Sequence, residues 1–352
     1  MKILHLLQSS RFSGAENVVC QIISMCSNEN IDFVYCSSKG QIQEALRERH
    51  IKYNLLKEFS LNEIKRVINE ERPDIIHAHD MRASFYAALC CGNIPLISHI
   101  HNNNFDSRGL SLKSVLYSFA AKKSKHIFWV SQSSFDGYYF HKFLNNKSTI
   151  LYNIIDIDKL EEKAQLDEKF YNYDLIYLGR ITEPKNPRRL LKIFKKVLTI
   201  RPKTRIVMIG NGDLSNEIEL EIKNDPILNK IDFLGFYNNP YKILKDSKVM
   251  IMTSLWEGTP MCALEALALG VPIVSTPTDG LINLIDDGIN GFLSKDDNII
   301  TEKICLILDN NEIHNQMSMN AKNMSIKMMD KTGYMNELVS IYCKVINERK
   351  KV

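Results

Sequence analysis

Several patterns that define other protein classes are missing from this sequence of 352 residues. It contains no apolar run near the roughly 20 residues that a transmembrane helix needs. Its first residues, Met1 to Leu7, read as a short strand rather than as a signal peptide. Its eight cysteines include no Cys-x-x-Cys pair. They indicate reduced thiols in a cytoplasmic protein, and they exclude a disulfide framework and a zinc motif.

Two further absences exclude nucleotide-binding classes. The turn after the first strand, Ser13-Gly14-Ala15-Glu16, lacks the Gly-x-Gly-x-x-Gly spacing of dinucleotide-binding dehydrogenases. Basic residues are not interleaved with aromatic residues as in nucleic-acid binders, so no nucleic-acid partner is expected. The net charge is only +4, but residues 101–150 hold seven Lys or Arg against two Asp. This excess suits an anionic membrane, a phosphorylated acceptor or a solvated helix face.

Strand-like and helix-like segments alternate along both halves of the chain. A polar, charged stretch at 156–172 separates the halves, and we interpret it as an interdomain linker. The alternation predicts an α/β fold of two doubly wound, Rossmann-like domains with parallel sheets, facing each other across a ligand-binding cleft. The predicted domains are 1–165 and 166–330, followed by a C-terminal helix in 331–352 that packs back on the first domain.

The segment Glu257-Gly-Thr-Pro-Met-Cys-Ala-Leu-Glu265 carries the strongest functional signal. Thr259 can cap a helix and Pro260 suits its first position, so a buried helix is predicted to begin here and to stop at Gly270. The N-terminus of such a helix carries about half a positive charge and binds phosphate. Because carboxylates repel phosphate, we expect both glutamates to bind hydroxyl groups beside it. A phosphate between hydroxyl-bearing groups describes a nucleotide sugar.

Other candidate ligand-binding residues follow predicted strands of the second half. Arg180 and Lys185 can clamp a diphosphate, although two idle surface cations would look the same in the sequence. The turn Gly210-Asn211-Gly212 allows the backbone to approach a nucleotide closely. Phe236 either contacts the base or packs in the core, and the sequence leaves both open.

Histidines mark two strand ends in the first half, at His77, His79, His99 and His101. Alternation along a strand puts His99 and His101 on one face of the sheet. We interpret His77 and His99 as core residues and expect His101, the last of the four, to face the ligand. No carboxylate is placed to complete a catalytic metal site, so no metal is predicted.

In this order, Gly14, His101, Gly179-Arg180, Lys185, Gly210-x-Gly212 and the pair Glu257 and Glu265 resemble the GT-B retaining glycosyltransferases of family 4, also called glycosyltransferase group 1. The resemblance covers nearly the whole chain. The segments at 254–258 and 99–102 resemble those of capsule, exopolysaccharide and lipopolysaccharide enzymes of that family. Two departures concern the acceptor side: Ser13 stands where a second glycine is common, and Ile154 follows Asn153 where glycine is usual.

The resemblance implies a role for each motif residue of the second domain. Arg180 and Lys185 would neutralise the donor diphosphate, helped by the backbone amides of Met261 and Cys262. Glu265 would bind the ribose of the nucleotide.

The transferred sugar would meet three further residues. The resemblance implies that Glu257 binds its hydroxyl groups and that His101 contacts the sugar and the reaction centre. Gly14 would approach the phosphate or the acceptor from the first domain.

The implied activity is metal-independent retaining transfer of a sugar from a nucleotide donor, expected to be UDP-linked, to a glycan or lipid-linked acceptor in cell-surface polysaccharide biosynthesis. No cofactor is implied. The alternatives are a nucleotide-sugar epimerase or sugar-phosphate synthase on the same fold, and a non-catalytic nucleotide-sugar-binding subunit. Neither the sugar nor the acceptor follows from the sequence.

A predicted helix at 110–122 combines apolar residues with lysines. Such a helix is typical of peripheral binding to an anionic membrane, here at the inner face of the cell membrane. The alternative is a helix whose apolar side faces the core.

Overall fold

The computed structural model describes residues 1–26, 30–101 and 105–350 and divides into two compact units. The first unit comprises Met1–Ile154 together with the chain from Lys331 onward, and the second comprises Ile155–Asp330.

A parallel six-stranded sheet forms the centre of the first unit. Its strands are β1 (Lys2–Leu6), β2 (Asp32–Cys36), β3 (Ile75–His79), β4 (Leu96–Ile100), β5 (His126–Trp129) and β6 (Ser148–Ile150). Its helices are α1 (Gly14–Met25), α2 (Ile42–Glu48), α3 (Leu61–Glu71), α4 (Asp80–Cys90), α5 (Leu112–Lys123) and α6 (Gln132–Asp136), with α15 (Lys331–Lys350) from the end of the chain. The strand order is β2-β1-β3-β4-β5-β6.

Both faces of this sheet are covered, and its central strands β3 and β4 are buried along their whole length. On β3, Ile76 and Ala78 belong to the apolar core that includes residues of α4 and α5. His77 and His79 alternate with them and therefore lie on the opposite face. On that face the Tyr342 hydroxyl of α15 lies 2.7 Å from Nδ1 of His77.

The second unit repeats the architecture around its own sheet and core. Its strands are β7 (Leu175–Leu178), β8 (Ile206–Ile209), β9 (Asp232–Gly235), β10 (Val249–Met252), β11 (Ile273–Ser275) and β12 (Gly291–Leu293). Its helices are α7 (Ile157–Gln165), α8 (Pro187–Ile200), α9 (Ser215–Asn224), α10 (Tyr241–Lys245), α11 (Met261–Ala268), α12 (Asp279–Ile282), α13 (Asp297–Asp309) and α14 (Asn311–Met328). The sheet is parallel, in the order β12-β11-β10-β7-β8-β9.

The predicted linker at 156–172 is wrong in its first half, which forms helix α7. The Asp156 side chain caps this helix by accepting a hydrogen bond from the amide of Lys159 at 3.3 Å. Leu160 and Ala164, four residues apart, are buried on one face, and α7 packs against α10. The units accordingly divide at Ile154/Ile155 rather than at 165/166.

Candidate donor-binding site

The loop between β7 and α8 carries the two predicted cations. Arg180 is exposed, and its carbonyl accepts a hydrogen bond from the buried hydroxyl of Tyr177 at 2.8 Å. Asn186 has a left-handed backbone (φ 51°) that turns the chain into α8, which begins at Pro187. Among the described residues, no carboxylate lies within 4 Å of the Arg180 guanidinium. The loop therefore presents this charge to solvent.

The glycine turn after β8 lies directly against this loop. A Cβ at Gly210 would lie 1.8 Å from the carbonyl oxygen of Gly179, and one at Gly212 would lie 2.3 Å from that of Ile181. Gly210 also has φ of +145°, a backbone conformation that L side chains rarely adopt. The carbonyl of Asn211 accepts a hydrogen bond from Ile181 at 3.1 Å. Two loops this close together require glycine at both positions.

Helix α11 begins one residue later than the sequence predicts. Pro260 occupies the N-cap, with an extended ψ of 117°, so Thr259 lies one residue before the cap position. The Pro260 carbonyl accepts the first intrahelical bonds, from Ala263 and Leu264. The amides of residues 261 and 262, the first two of the helix, have no acceptor within the helix. Phosphate binding at this position requires such amides.

Glu257 lies in the loop before α11 and is only 8% exposed. One of its carboxylate oxygens, Oε1, accepts hydrogen bonds from the Lys185 ammonium and, at 2.5 Å, from the Ser254 hydroxyl. The Leu255 amide donates to the carbonyl of Pro184 at 2.8 Å and so fastens the two loops together. The structure thus joins Lys185 and Glu257, which the sequence separates by 72 positions, in a nearly buried ion pair.

Glu265 lies in the second turn of α11 and is 7% exposed. Its carboxylate accepts a hydrogen bond from the Tyr241 hydroxyl at 3.2 Å. Burial raises the pKa of Glu265 to about 7, while the Tyr241 bond and the charge of Lys163 act in the opposite direction. Burial also raises the pKa of the Cys262 thiol to about 12. Near neutral pH, Cys262 is therefore a thiol, and Glu265 is poised between its two protonation states.

Phe236 follows β9 and is 61% exposed, so its packing in the core is excluded. Tyr237 beside it is also exposed. An exposed aromatic ring just after the edge strand β9 is available for stacking on a planar ligand.

The predicted residues of the first unit lie at the carboxyl ends of its strands. Gly14 is the first residue of α1, after Ser13 in the N-cap. His101 follows β4 and is 7% exposed. Its backbone amide donates to Asp80 Oδ1 at 3.1 Å, and Asp80 itself has a strained φ of +68°. Burial lowers the pKa of His101, and the nearby Asp80 partly opposes that shift.

Two groups of three buried histidines have ring nitrogens within 4.8 Å of one another: His5, His77 and His79, and His79, His99 and His101. Histidine is a common metal ligand, but neither group includes a carboxylate or cysteine. Within both groups, nitrogens pair with each other at 2.8 Å, a hydrogen-bond distance. The arrangement therefore fits an imidazole hydrogen-bond network better than a preformed metal centre.

Sequence reasoning missed two residues that contact predicted site residues and a third, His5, that contacts His79. Ser254 stands three positions before Glu257, and this spacing within a loop is the only signal that could have identified it. Tyr241 reaches Glu265 across 24 positions and has no local signal. His5 joins the histidines because its strand β1 lies beside β3.

Comparisons with known proteins identify domains and relatives of this chain. A family model described as Glycosyltransferase Family 4 matches residues 12–159, and one described as Glycosyl transferases group 1 matches residues 158–324. An uncharacterized glycosyltransferase of Methanocaldococcus jannaschii is 31% identical over 234 residues, covering 60% of this chain and 58% of that protein. The UDP-Gal:alpha-D-GlcNAc-diphosphoundecaprenol alpha-1,3-galactosyltransferase of Escherichia coli is 24% identical, covering 98% of this chain and 97% of that enzyme.

Solved structures share the two-unit architecture. HepE of Anabaena, in complex with UDP, has a TM-score of 0.81 at 18% identity and covers 98% of this chain and 100% of its own. TarM has a TM-score of 0.79 at 14% identity, with 98% of both chains covered. These likenesses establish the GT-B fold of two Rossmann-like domains. Since the two family models together span residues 12–324, the chain belongs to the GT-B glycosyltransferases, with a Family 4 domain followed by a group 1 domain.

Proposed function

We propose that this protein transfers a sugar, with retention of configuration, from a UDP-linked donor to a glycan or lipid-linked acceptor of a cell-surface polysaccharide. The observation that carries the proposal is the convergence, within the second unit, of the Arg180 loop, the Lys185–Glu257 pair and the start of α11. The relatives support the finer choices: the E. coli enzyme is named for UDP-Gal and a diphosphoundecaprenol acceptor, and HepE was crystallised with UDP-glucose.

The diphosphate of the donor binds to fixed positive charge in this proposal. Arg180 has no carboxylate partner among the described residues, so its guanidinium can bind phosphate oxygens in a bidentate manner. Lys185 has three donors, and Glu257 is the only carboxylate within 4 Å of it in the described chain. The amides of Met261 and Cys262 add the positive end of a helix dipole. These groups offset the diphosphate charge, and no metal or other cofactor is proposed.

The neighbouring glutamates bind hydroxyl groups of the donor. Glu257 is held in place by Lys185 and Ser254, and its carboxylate can accept hydrogen bonds from the transferred sugar. Glu265 accepts hydrogen bonds from the ribose as a carboxylate, a form that donor binding favours at neutral pH. The exposed Phe236 ring stacks on the uracil base.

Negative charge grows on the leaving UDP as the sugar–phosphate bond breaks. The cations and amides around the diphosphate stabilise that charge more in the transition state than in the bound donor. Glu257 acts as a sugar ligand and not as a nucleophile, because the ammonium and hydroxyl bonds to Oε1 reduce its nucleophilicity. The leaving phosphate accepts the proton of the acceptor hydroxyl. From the first unit, His101 contacts the transferred sugar, and Gly14 contacts the phosphate or the acceptor.

Contact with an anionic membrane is proposed at helix α5, at the cytoplasmic face. Five apolar side chains on and just before this helix are 39% to 75% exposed, which argues against a core-facing apolar side: Leu110, Leu112, Val115, Leu116 and Phe119. Lys113, Lys122 and Lys123 lie on the same helix. This combination suits a negatively charged lipid surface. No helix within the described ranges is long and apolar enough to span a membrane.

The proposal is tested by a thermal-shift screen of the full chain against UDP-, GDP- and ADP-sugars, followed by turnover with the selected donor. Donor binding raises the apparent Tm by mass action. We expect a UDP-sugar to give the largest shift and UDP release to require an acceptor. Conversion of the donor to another nucleotide sugar without acceptor would instead identify an epimerase. A rise in Tm with a nucleotide sugar, but no transfer to any acceptor, would instead indicate a non-catalytic nucleotide-sugar-binding subunit.

A further inference from the structure

Two groups from other helices of the second unit act on the buried carboxylate of Glu265. The Tyr241 hydroxyl, on the first residue of α10, donates a hydrogen bond to Glu265 Oε1 at 3.2 Å. The Lys163 ammonium of α7 lies 5.7 Å from the centroid of the Tyr241 ring. Three helices thus bring together a cation, an aromatic hydroxyl and a carboxylate. We call these residues the Glu265 cluster: Lys163, Tyr241 and Glu265.

Contacts outside the cluster hold Lys163 and Tyr241 in place. Helix α7 packs against α10, and the side-chain amide of Asn239, two residues before Tyr241, donates to the backbone carbonyl of Lys163 at 2.7 Å. Both Lys163 and Tyr241 are half-buried. Solvent and salt screen a half-buried charge less than an exposed one. The Lys163 ammonium therefore acts on Glu265 more strongly than a lysine in open solvent would.

The two groups oppose the effect of burial on Glu265. A carboxylate accepts hydrogen bonds through both oxygens only when it is ionised. Burial raises the pKa of Glu265 to about 7, which disfavours that form at neutral pH. The hydrogen bond from Tyr241 and the charge of Lys163 both lower this pKa, because each interacts best with the ionised carboxylate. They consequently increase the ionised fraction of Glu265 near neutral pH.

The other elements that pack on α11 bring no comparable charge to Glu265 within the described ranges. Cys262, one turn earlier on the same helix, is a neutral thiol because burial raises its pKa to about 12. Helix α14 brings Lys322 to Gly270, just beyond the C-terminal end of α11. Strand β11 contributes no titratable side chain. The charge state of Glu265 therefore depends chiefly on its burial and on the other two members of the cluster.

We propose that Tyr241 and Lys163 are positioning residues for the ribose of the donor: they orient the Glu265 carboxylate and keep it negatively charged. The contact of Glu265 with ribose rests on the proposed function, whereas the effect of the two residues on Glu265 needs no nucleotide. An ionised carboxylate that accepts hydrogen bonds from the ribose hydroxyls favours ribonucleotides over 2′-deoxyribonucleotides, which offer one hydroxyl fewer. Lys163 belongs to the stretch that composition assigned to a linker, so its role has no local sequence signal.

The first test is a pH titration of Glu265 in the full chain without nucleotide. NMR of ¹³C-labelled glutamate carboxyl groups follows the titration, and Glu265→Gln assigns the signal. We expect a midpoint near pH 7 in the wild-type protein. Tyr241→Phe should raise it by about one pH unit, the effect of losing a hydrogen bond to a charged group. Lys163→Met should raise it by about half a unit, because solvent partly screens the lost charge.

The two variants change different helices, so one that fails to fold leaves the other informative. A wild-type midpoint in a folded Tyr241→Phe or Lys163→Met protein would overturn the inference for that residue. Wild-type midpoints in both would overturn it entirely.

Tyr173→Phe and Lys223→Met are the matched controls. The Tyr173 hydroxyl donates to Asp232 at 2.8 Å at the start of β9, so Tyr173→Phe removes the same kind of hydrogen bond from the same unit. Lys223 is exposed on α9 and pairs with Glu219. Neither control should move the Glu265 midpoint by more than about 0.2 pH unit. Shifts as large as those of the site variants would show a general effect on the unit and overturn the inference.

The second test compares the Kd values of UDP and 2′-deoxy-UDP as a function of pH. Their ratio cancels the titration of the diphosphate, which both ligands share. In the wild-type protein, 2′-deoxy-UDP should bind about 10-fold more weakly than UDP at alkaline pH, and the ratio should fall as Glu265 takes up its proton. In Tyr241→Phe this change should move to higher pH, as the titration midpoint does.

The outcomes of the second test separate the two proposals. A ratio that keeps its wild-type pH dependence in Tyr241→Phe would overturn the positioning role. Absence of UDP binding by the wild-type protein would instead refute the proposed function, and the titration of Glu265 would still report whether Tyr241 and Lys163 set its charge.

Discussion

Replacing Glu265 with glutamine should stabilise the second unit at neutral and alkaline pH. The carboxylate is buried, and its pKa is raised from the ordinary 4.5 to about 7. Below pH 4.5 the group is protonated in both the folded and the unfolded chain and has no effect. Between pH 4.5 and 7 the folded chain keeps the proton that the unfolded chain has released, so the free energy of unfolding falls as the pH rises.

The size of the effect follows from the shift. The rise of the pKa from 4.5 to about 7 corresponds to a loss of about 3 kcal/mol in the free energy of unfolding. This loss is nearly complete at pH 7 and constant at higher pH. Glutamine has no charge to bury and can still accept the Tyr241 hydrogen bond. We expect the free energy of unfolding of Glu265→Gln to exceed that of wild type by about 3 kcal/mol at pH 8. Near pH 4.5 the two values should nearly match.

Urea titration followed by tryptophan fluorescence can measure this difference in the second unit. The chain has two tryptophans, Trp129 in the first unit and Trp256 in the second, so a Trp129→Phe background leaves one reporter in the relevant unit. Glu219→Gln is the control, since this partly exposed glutamate on α9 pairs with Lys223 alone among the described residues and should change stability by less than about 0.5 kcal/mol. A Glu265→Gln protein no more stable than wild type at pH 8, or a gain at pH 4 as large as that at pH 8, would refute the reasoning.

Three further predictions test other parts of the molecule. Lys185→Met should destabilise the second unit by about 3–5 kcal/mol in urea titration, because the buried Glu257 carboxylate loses its partner. Adding Glu257→Gln should recover most of that loss. A double variant as unstable as the single variant would contradict the ion pair. Gly210→Ala should cost more than about 2 kcal/mol in thermal unfolding, whereas Gly109→Ala, with no atom within 4 Å, should cost less than about 1 kcal/mol; equal losses would be inconsistent with the close approach of the loops. Leu112→Asp should reduce co-sedimentation with anionic vesicles at low salt without changing the circular dichroism spectrum, and undiminished binding would count against α5 as the membrane contact.

Most of the fold could be predicted because strands of a parallel sheet are buried on both faces and are therefore apolar. Such strands alternate regularly with amphipathic helices along the sequence. The helix predicted at 110–122 corresponds to α5, Leu112–Lys123. The linker prediction failed for a physical reason. Helix α7 buries only Leu160 and Ala164, so its charged composition conceals the narrow apolar face. The composition of such a helix is dominated by its many solvent-exposed residues, so it gives little indication of the few residues that are buried.

The candidate site was predictable only as far as its local geometry. Spacing alone located Glu257 and Glu265 around a buried helix start, because that information lies within nine consecutive residues. The Lys185–Glu257 ion pair and the Tyr241–Glu265 hydrogen bond depend on which loops the sheet order brings together. Strand alternation put His99 and His101 on one face, but the partnership with His5 required the β1–β3 register.

Calorimetric titration with UDP tests the central claim most directly, namely that the Arg180 loop and the start of α11 bind a diphosphate. Wild type should bind UDP, and Arg180→Gln should raise Kd by about 10- to 100-fold, the effect of losing hydrogen bonds to a charged group. Arg188→Gln is the matched control, because this exposed arginine at the start of α8 already pairs with Glu183 and Glu217 and should leave Kd within about twofold. Equal affinity of wild type and Arg180→Gln for UDP would contradict the account.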